Sequence, residues 1–245
     1  IDPITSTYGD AMKLILITLV GLVVGMMVAC SSDPAATSTP SYPQISEDES
    51  VDSLKQILKS SDKAIQIDPN DYHAYVARGG GYSNLGQSQN AIDDFDRAIQ
   101  IDPDKASAYF GRGLHYTQLG QSQNAINDYT KAIQIGLDNN FMALAYEGRG
   151  IAYGISGQYQ TAIDDFDRAL QIDPKKASAY FYRGLAYSSL GQYQTAISDF
   201  TKVIEIDPDD ASAYVARGLA YEGLGQLQNA DAYESMACFL DSDWC

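Results

Sequence analysis

Five arginines recur at one position of a repeating pattern, and their chemistry suits anions. Arg78, Arg112, Arg149, Arg183 and Arg217 each precede a glycine. A guanidinium offers a rigid fork of donors that matches a carboxylate or a phosphate. Four of the five repeating units also carry an acid further along, namely Asp94, Asp128, Asp165 and Asp199. The recurrence of both charges favours mutual pairing over ligand binding. The expectation is a structural ladder of Arg and Asp, formed within or between units.

Other chemistry-bearing residues fall short of a site. Asp93-Asp94-Asp96 and Asp164-Asp165-Asp167 are acidic runs on expected helices, without the glycine-bearing loop of a calcium hand. His73 and His115 lie in different units, and neither has a partner at ligand spacing. Ser, His and Asp occur without the order of a triad, and no glycine loop cradles a phosphate. No catalytic residue, metal ligand or cofactor is assigned, and an enzyme is not expected.

Composition supports this reading. The 245 residues carry 32 acidic and 16 basic side chains, for a net charge of -16, which disfavours nucleic acid and anionic lipid surfaces. With 45% apolar residues the chain has material for a core.

The elements that hold these residues follow from a period. Arg-Gly recurs at steps of 34, 37, 34 and 34 residues, and Ile-Asp-Pro marks four unit ends at Pro69, Pro103, Pro174 and Pro208. Three extra residues around Asp138, Asn139 and Asn140 explain the long step and are read as loop. A fixed period of this size signals a solenoid. Each unit reads as two helices, such as 106–119 and 122–135, with Gly120 at the turn and Asp-Pro as the stop.

Within the period, Tyr109, Gly113, Tyr116, Ala125, Tyr129 and Ala132 have counterparts in the other full units, as in Tyr146, Gly150, Tyr153, Ala162, Phe166, Ala169 and Pro174. This pattern resembles the tetratricopeptide repeat (TPR) family. The resemblance implies an all-α fold, a right-handed superhelix of about five helix-turn-helix repeats plus a leading half-repeat. The repeats are placed at about 72–105, 106–142, 143–176, 177–210 and 211–240 of a domain over 70–240. A capping helix over 47–69 precedes them, opened by a Ser46/Glu49 capping box, and a tail over 241–245 follows. The fifth unit is expected to be compressed after Gln228-Asn229-Ala230, with Ala230, Tyr233, Met236, Ala237 and Leu240 as a capping face.

The front of the chain reads as an export signal. Residues 14–28 form an uncharged apolar run after Lys13, too short for an ordinary membrane span. Met27-Val28-Ala29-Cys30 resembles the lipobox of bacterial lipoproteins. The resemblance implies a signal peptide over 12–29 and lipidation of Cys30, and Ser31 resembles the outer-membrane class. Residues 30–46, rich in Ser, Thr and Pro, make a flexible tether. Residues 1–11 do not suit the start of a signal and are set aside as an artefact or upstream extension.

The resemblance also implies a function. In TPR domains the first helices line a concave groove that holds peptides. Its expected residues here include Phe110, Leu114, Gln118, Glu147, Ile151, Phe181, Leu185 and Ser189, with Phe110 and Phe181 as anchors. The leading expectation is a lipid-anchored scaffold that binds a protein or peptide partner. The alternative is end-to-end self-assembly into a filament.

Overall fold

The computed structural model describes residues 47–241 and residue 244. Eleven α-helices and no strands occur among them. The described chain divides after Ile135 into two compact units.

The first unit holds α1 (Glu47–Ile67), α2 (Tyr72–Asn84), α3 (Ser88–Ile101), α4 (Ala106–Gln118) and α5 (Ser122–Ile135). The second holds α6 (Asn139–Ile155), α7 (Tyr159–Ile172), α8 (Ala177–Ser189), α9 (Tyr193–Ile206), α10 (Ala211–Gly223) and α11 (Leu227–Leu240). Within each unit, every helix packs on its chain neighbours, and the first helices of successive repeats also touch. No helix among the described residues is long and apolar enough to cross a membrane.

Local chemistry sets the helix ends. Gly120 adopts φ 68° after α4, so Gln121 N–H reaches back to Tyr116 O at 2.8 Å and closes the helix. Asp71 and Asp210 cap α2 and α10, accepting from Ala74 N and Ala213 N at 3.1 Å each. Asp102 ends α3, and Pro103 after it cannot continue the helix.

Inside each hairpin a small residue faces a ring. Ala91, Ala125, Ala162 and Ala196 are wholly buried, as are Tyr129, Phe166 and Phe200. A Cβ on Gly184 would stand 2.7 Å from Phe200 Cε1, so only glycine lets the ring lie against the first helix.

Three expectations change. The three extra residues before the third repeat do not widen a loop. They lengthen α6 to 17 residues against 13 in α4 and α8, and Asp138 caps the added turn by accepting from Phe141 N at 3.0 Å. Gly136, at φ 108°, stands where other units have the Asp of Asp-Pro.

The fifth repeat is not compressed. Its second helix has 14 residues, as α9 does, and Ala230 and Ala237 are buried in step with Ala196 and Val203. What changes is side-chain type: Glu234 replaces the core ring, and a Cβ on Gly218 would come no nearer than 3.4 Å to a neighbour, Ala230 O. Met236, expected on the capping face, is exposed.

Along α1, Leu54, Leu58 and Ile65 are half-buried as one side, while Ile57 is exposed. The Ser46/Glu49 capping box, the 12–29 signal, Cys30, the tether and Cys245 lie outside what the described residues and side chains cover. Cys238 is disulfide-bonded, and its partner also lies outside them.

Candidate functional site

The period brings each of the first four arginines to its aspartate. Arg78 donates through Nε and Nη2 to Asp94 at 2.8 and 2.6 Å. Arg112 grips Asp128 at 2.7 Å twice, Arg149 grips Asp165 at 2.7 and 2.8 Å, and Arg183 grips Asp199 at 2.8 and 2.6 Å. These paired, charge-assisted bonds join the two helices of one repeat. A third donor, Nη1, then reaches the preceding second helix: Arg112 to Asp96 and Arg183 to Asp167. Arg78 does the same with Asp62 of α1.

The acids on the short arm of this contact are buried, whereas Asp96 and Asp167 are partly exposed. Hydrogen bonding to Asp199 holds the Arg183 guanidinium further into its charged range. For Arg112 burial acts first and downward, but Asp128 and Asp96 reverse it and raise the group. Burial pushes the Asp128 carboxyl up despite its guanidinium partner. Each guanidinium also lies over a tyrosine, Arg183 over Tyr180 at 5.3 Å and Arg149 over Tyr146 at 5.5 Å.

Arg217 departs from this pattern. Tyr233 replaces the aspartate, and the guanidinium sits 4.0 Å over its ring. Its Nη1 donates to Thr201 Oγ1 at 3.2 Å, and Nε is buried without a hydrogen bond.

The expected groove residues divide by exposure. Phe110, Ile151, Phe181 and Leu185 are buried rather than presented to a partner. Phe110 packs edge-on to Tyr129 at 6.0 Å, and Phe181 lies 5.7 Å from the rings of both Tyr182 and Phe200. As surface anchors Phe110 and Phe181 are therefore corrected, because their rings complete the hairpin core. Leu114 is half-buried, and Gln118 and Ser189 are exposed. Gln118 Oε1 accepts from Ser88 Oγ at 3.1 Å and lies 3.0 Å from His115 Nδ1.

Glu147 is the larger correction. It has 0% exposure, where a groove residue should be open. The matching residues of the other repeats are Val76, Phe110, Phe181 and Val215, so comparison across units would have singled it out. Lys176 Nζ lies 3.1 Å from Oε2, and Lys176 and Ser178 are the groups that stabilise the buried carboxylate. Burial raises the Glu147 carboxyl, and Lys176 offsets part of that.

Tyr182 is a second residue that pattern reading missed. It replaces Gly111, Gly148 or alanine of the other units and stacks on Phe166 at 6.2 Å. Its hydroxyl is buried without a hydrogen bond, and burial, then the Glu147 charge, raises it. Beside it opens a cleft lined by Gly150, Ile151, Gly154, Leu185, Ala186 and Ser189, with Tyr159 and Phe166 behind. Among the described residues no three His, Cys, Asp or Glu side chains stand together to hold a metal ion.

Sequence models of the tetratricopeptide repeat match residues 156–217, 104–175 and 211–233, and a TPR repeat model matches 82–120. No curated protein matches the sequence. Among solved structures, MamA is 30% identical over 67% of this chain and 95% of its own, with a TM-score of 0.61. YrrB, described as a TPR protein with an unusual peptide-binding site, is 24% identical over 76% of this chain and 94% of its own, at a TM-score of 0.64. PilW, a type IV pilus biogenesis factor, is 22% identical over 76% and 86%, at 0.67. The chain belongs to the tetratricopeptide repeat family, and its fold is that of a protein-interaction scaffold.

Proposed function

We propose that this scaffold is exported, held by lipid on Cys30, and binds an extended segment of a partner protein along the first helices of its repeats. What carries the binding reading is the division of labour within each repeat. The Arg/Asp pairs and rings are consumed by the fold, whereas Gln118, Ser189 and half-buried Leu114 are left toward solvent on α4 and α8. Within each unit such a preformed helix surface binds without first ordering itself. The lipobox-like Met27-Val28-Ala29-Cys30 supports the anchor.

Display of random peptides on the full chain tests the binding reading. Enriched peptides should compete with one another and lose affinity with Gln118→Ala or Ser189→Tyr. Failure to enrich any sequence would remove it. Mass spectrometry of the mature protein tests the anchor: an acylated Cys30 at the new N-terminus is expected, and an unmodified one would exclude it.

One observation favours self-association as a second reading. On α11, Leu227, Met236 and Phe239 are exposed, Phe239 at 84%. The matching residues of α9 are Tyr193, Lys202 and Glu205. Exposed apolar area of this kind marks contact surfaces. Sedimentation at rising concentration should show assembly that Phe239→Lys abolishes, and a monomer throughout would exclude it.

A further inference from the structure

We propose that α10 is the receptor for a helix of a partner protein, an amphipathic helix in which an aspartate directly precedes an aromatic ring, and that this helix displaces α11. The inference is independent of the groove reading, because it concerns the face of α10 that α11 covers.

α10 keeps the receiving groups of the repeat. Tyr214, Arg217, Gly218 and Tyr221 match Tyr180, Arg183, Gly184 and Tyr187 of α8. On α8 that set receives two groups from α9: the Asp199 carboxylate in the Arg183 fork and the Phe200 ring against Gly184. α11 supplies neither. Tyr233 stands for the aspartate and exposed Glu234 for the ring, and exposed Asp231 replaces the isoleucine that is buried on α9. Only Ala230 and Ala237 of α11 are buried, against Ala196, Ile197, Asp199, Phe200 and Val203 of α9.

The consequences show on α10. Tyr233 lies over the Arg217 guanidinium at 4.0 Å, but Nε, the arm that Asp199 serves on Arg183, is buried without a hydrogen bond. A Cβ on Gly184 would meet Phe200 at 2.7 Å, whereas one on Gly218 would stand 3.4 Å from its nearest neighbour, Ala230 O. α10 therefore has an arginine without its acid and a glycine without its ring. A guanidinium fork fits a carboxylate, an unmet buried donor is costly, and a ring gains by burial. A helix that brings both groups gains contacts that α11 does not make. The helices of this chain with that pattern bury it in their own hairpins, as Asp94-Phe95, Asp165-Phe166 and Asp199-Phe200 do, so the occupant comes from another protein. α11 is joined to α10 by a short turn and competes at about millimolar effective concentration.

The test uses the full chain and, as probe, an end-capped peptide of residues 193–206, which carries Asp199 and Phe200 and no tryptophan. Trp244, the single tryptophan of the chain, stands just past α11, and its fluorescence anisotropy reads release of that helix. Anisotropy should fall and saturate at about 10–100 μM peptide, with shifts in the Gly218 and Tyr221 amide resonances. The response should be at least about tenfold weaker for the peptide with Asp199→Asn or Phe200→Ala. It should vanish in the protein with Tyr233→Asp and Glu234→Phe, which gives α11 the missing groups and whose unfolding midpoint reports that it is folded. No fall in anisotropy up to about 1 mM peptide, with the Cys238 disulfide intact or reduced, would overturn the proposal. So would an equal response to the Phe200→Ala peptide, or Gly218 shifts without release of Trp244. Hydrogen exchange is the second measurement: α11 amides that exchange as slowly as those of α9 would show a firmly held helix and overturn it as well. Release on concentrating the protein alone would assign the face to a second copy, against the proposal. Any of these failures leaves the groove reading standing, since that rests on Gln118 and Ser189.

Discussion

Arg183 holds Asp199 through two parallel hydrogen bonds, Nε to Oδ2 at 2.8 Å and Nη2 to Oδ1 at 2.6 Å, while its remaining arm reaches Asp167 of the preceding repeat. Asp199 is 5% exposed, so its charge depends on that fork for solvation. Truncation to Arg183→Met should lower stability by about 3–5 kcal/mol, because a buried carboxylate loses its partner. Adding Asp199→Leu to Arg183→Met should return most of the loss, since an apolar pair of similar volume carries no desolvation cost. Urea unfolding of the two single variants and the double measures this. Additive losses in the double would show that the two side chains act separately.

Glycines at different depths should respond in opposite directions. A methyl on Gly184 would stand 2.7 Å from Phe200 Cε1 and 3.0 Å from Cζ, and the ring has no exposed side to retreat to. Gly184→Ala should cost about 1–3 kcal/mol through overpacking. Gly80 lies inside α2, and a Cβ there meets nothing within 4 Å. Gly80→Ala should add about 0.5–1 kcal/mol, because alanine is the better helix former. Thermal unfolding of both variants checks the pair, and shifts of the same sign would refute it.

The hairpins were readable because their chemistry is periodic. Gly120 and its counterparts must turn left-handed, Ala125 must be small, and Asp-Pro must stop a helix, so each leaves a fixed residue type at a fixed step. The Arg and Asp positions were readable for the same reason, although the group that each Nη1 reaches depends on stacking geometry. What escaped is what breaks the period. Glu147 and Tyr182 occur once each in their columns, and the family groove placed Glu147 toward a ligand although its helix turns it inward. Phe110 and Phe181 look like anchors in one dimension, but a ring beside Tyr129 or Phe200 gains more by joining it. The residues that open α6 read as loop because Asn favours turns. Capping by Asp138 is what makes them helical.

Glu147 sets one pH dependence. Burial raises its folded pKa above the ordinary 4.5, so the folded state binds more protons than the unfolded state. Its contribution to stability is therefore complete below 4.5 and is lost as pH rises through the folded value. Glu147→Gln removes that loss, so the variant should be the more stable at neutral pH, by an amount that shrinks toward pH 4.5. Denaturant midpoints of both proteins across this range decide it. Parallel curves would mean that Lys176 already compensates the charge in full.

His115 imposes the opposite slope. It is 1% exposed, stacked 6.1 Å from Phe95, with Nδ1 3.0 Å from Gln118 Oε1. Burial lowers its pKa below the ordinary 6.5, and the Gln118 contact recovers only part. The unfolded state then binds more protons between the two values, so the stabilisation is complete above 6.5 and is lost as pH falls through the folded pKa. His115→Gln should flatten the stability curve below pH 6.5 and leave the Glu147 slope in place. The imidazole resonances provide the direct check: titration in the folded protein at or above 6.5 would contradict a buried neutral ring, and loss of the Gln118 partner in Gln118→Ala should lower the value further.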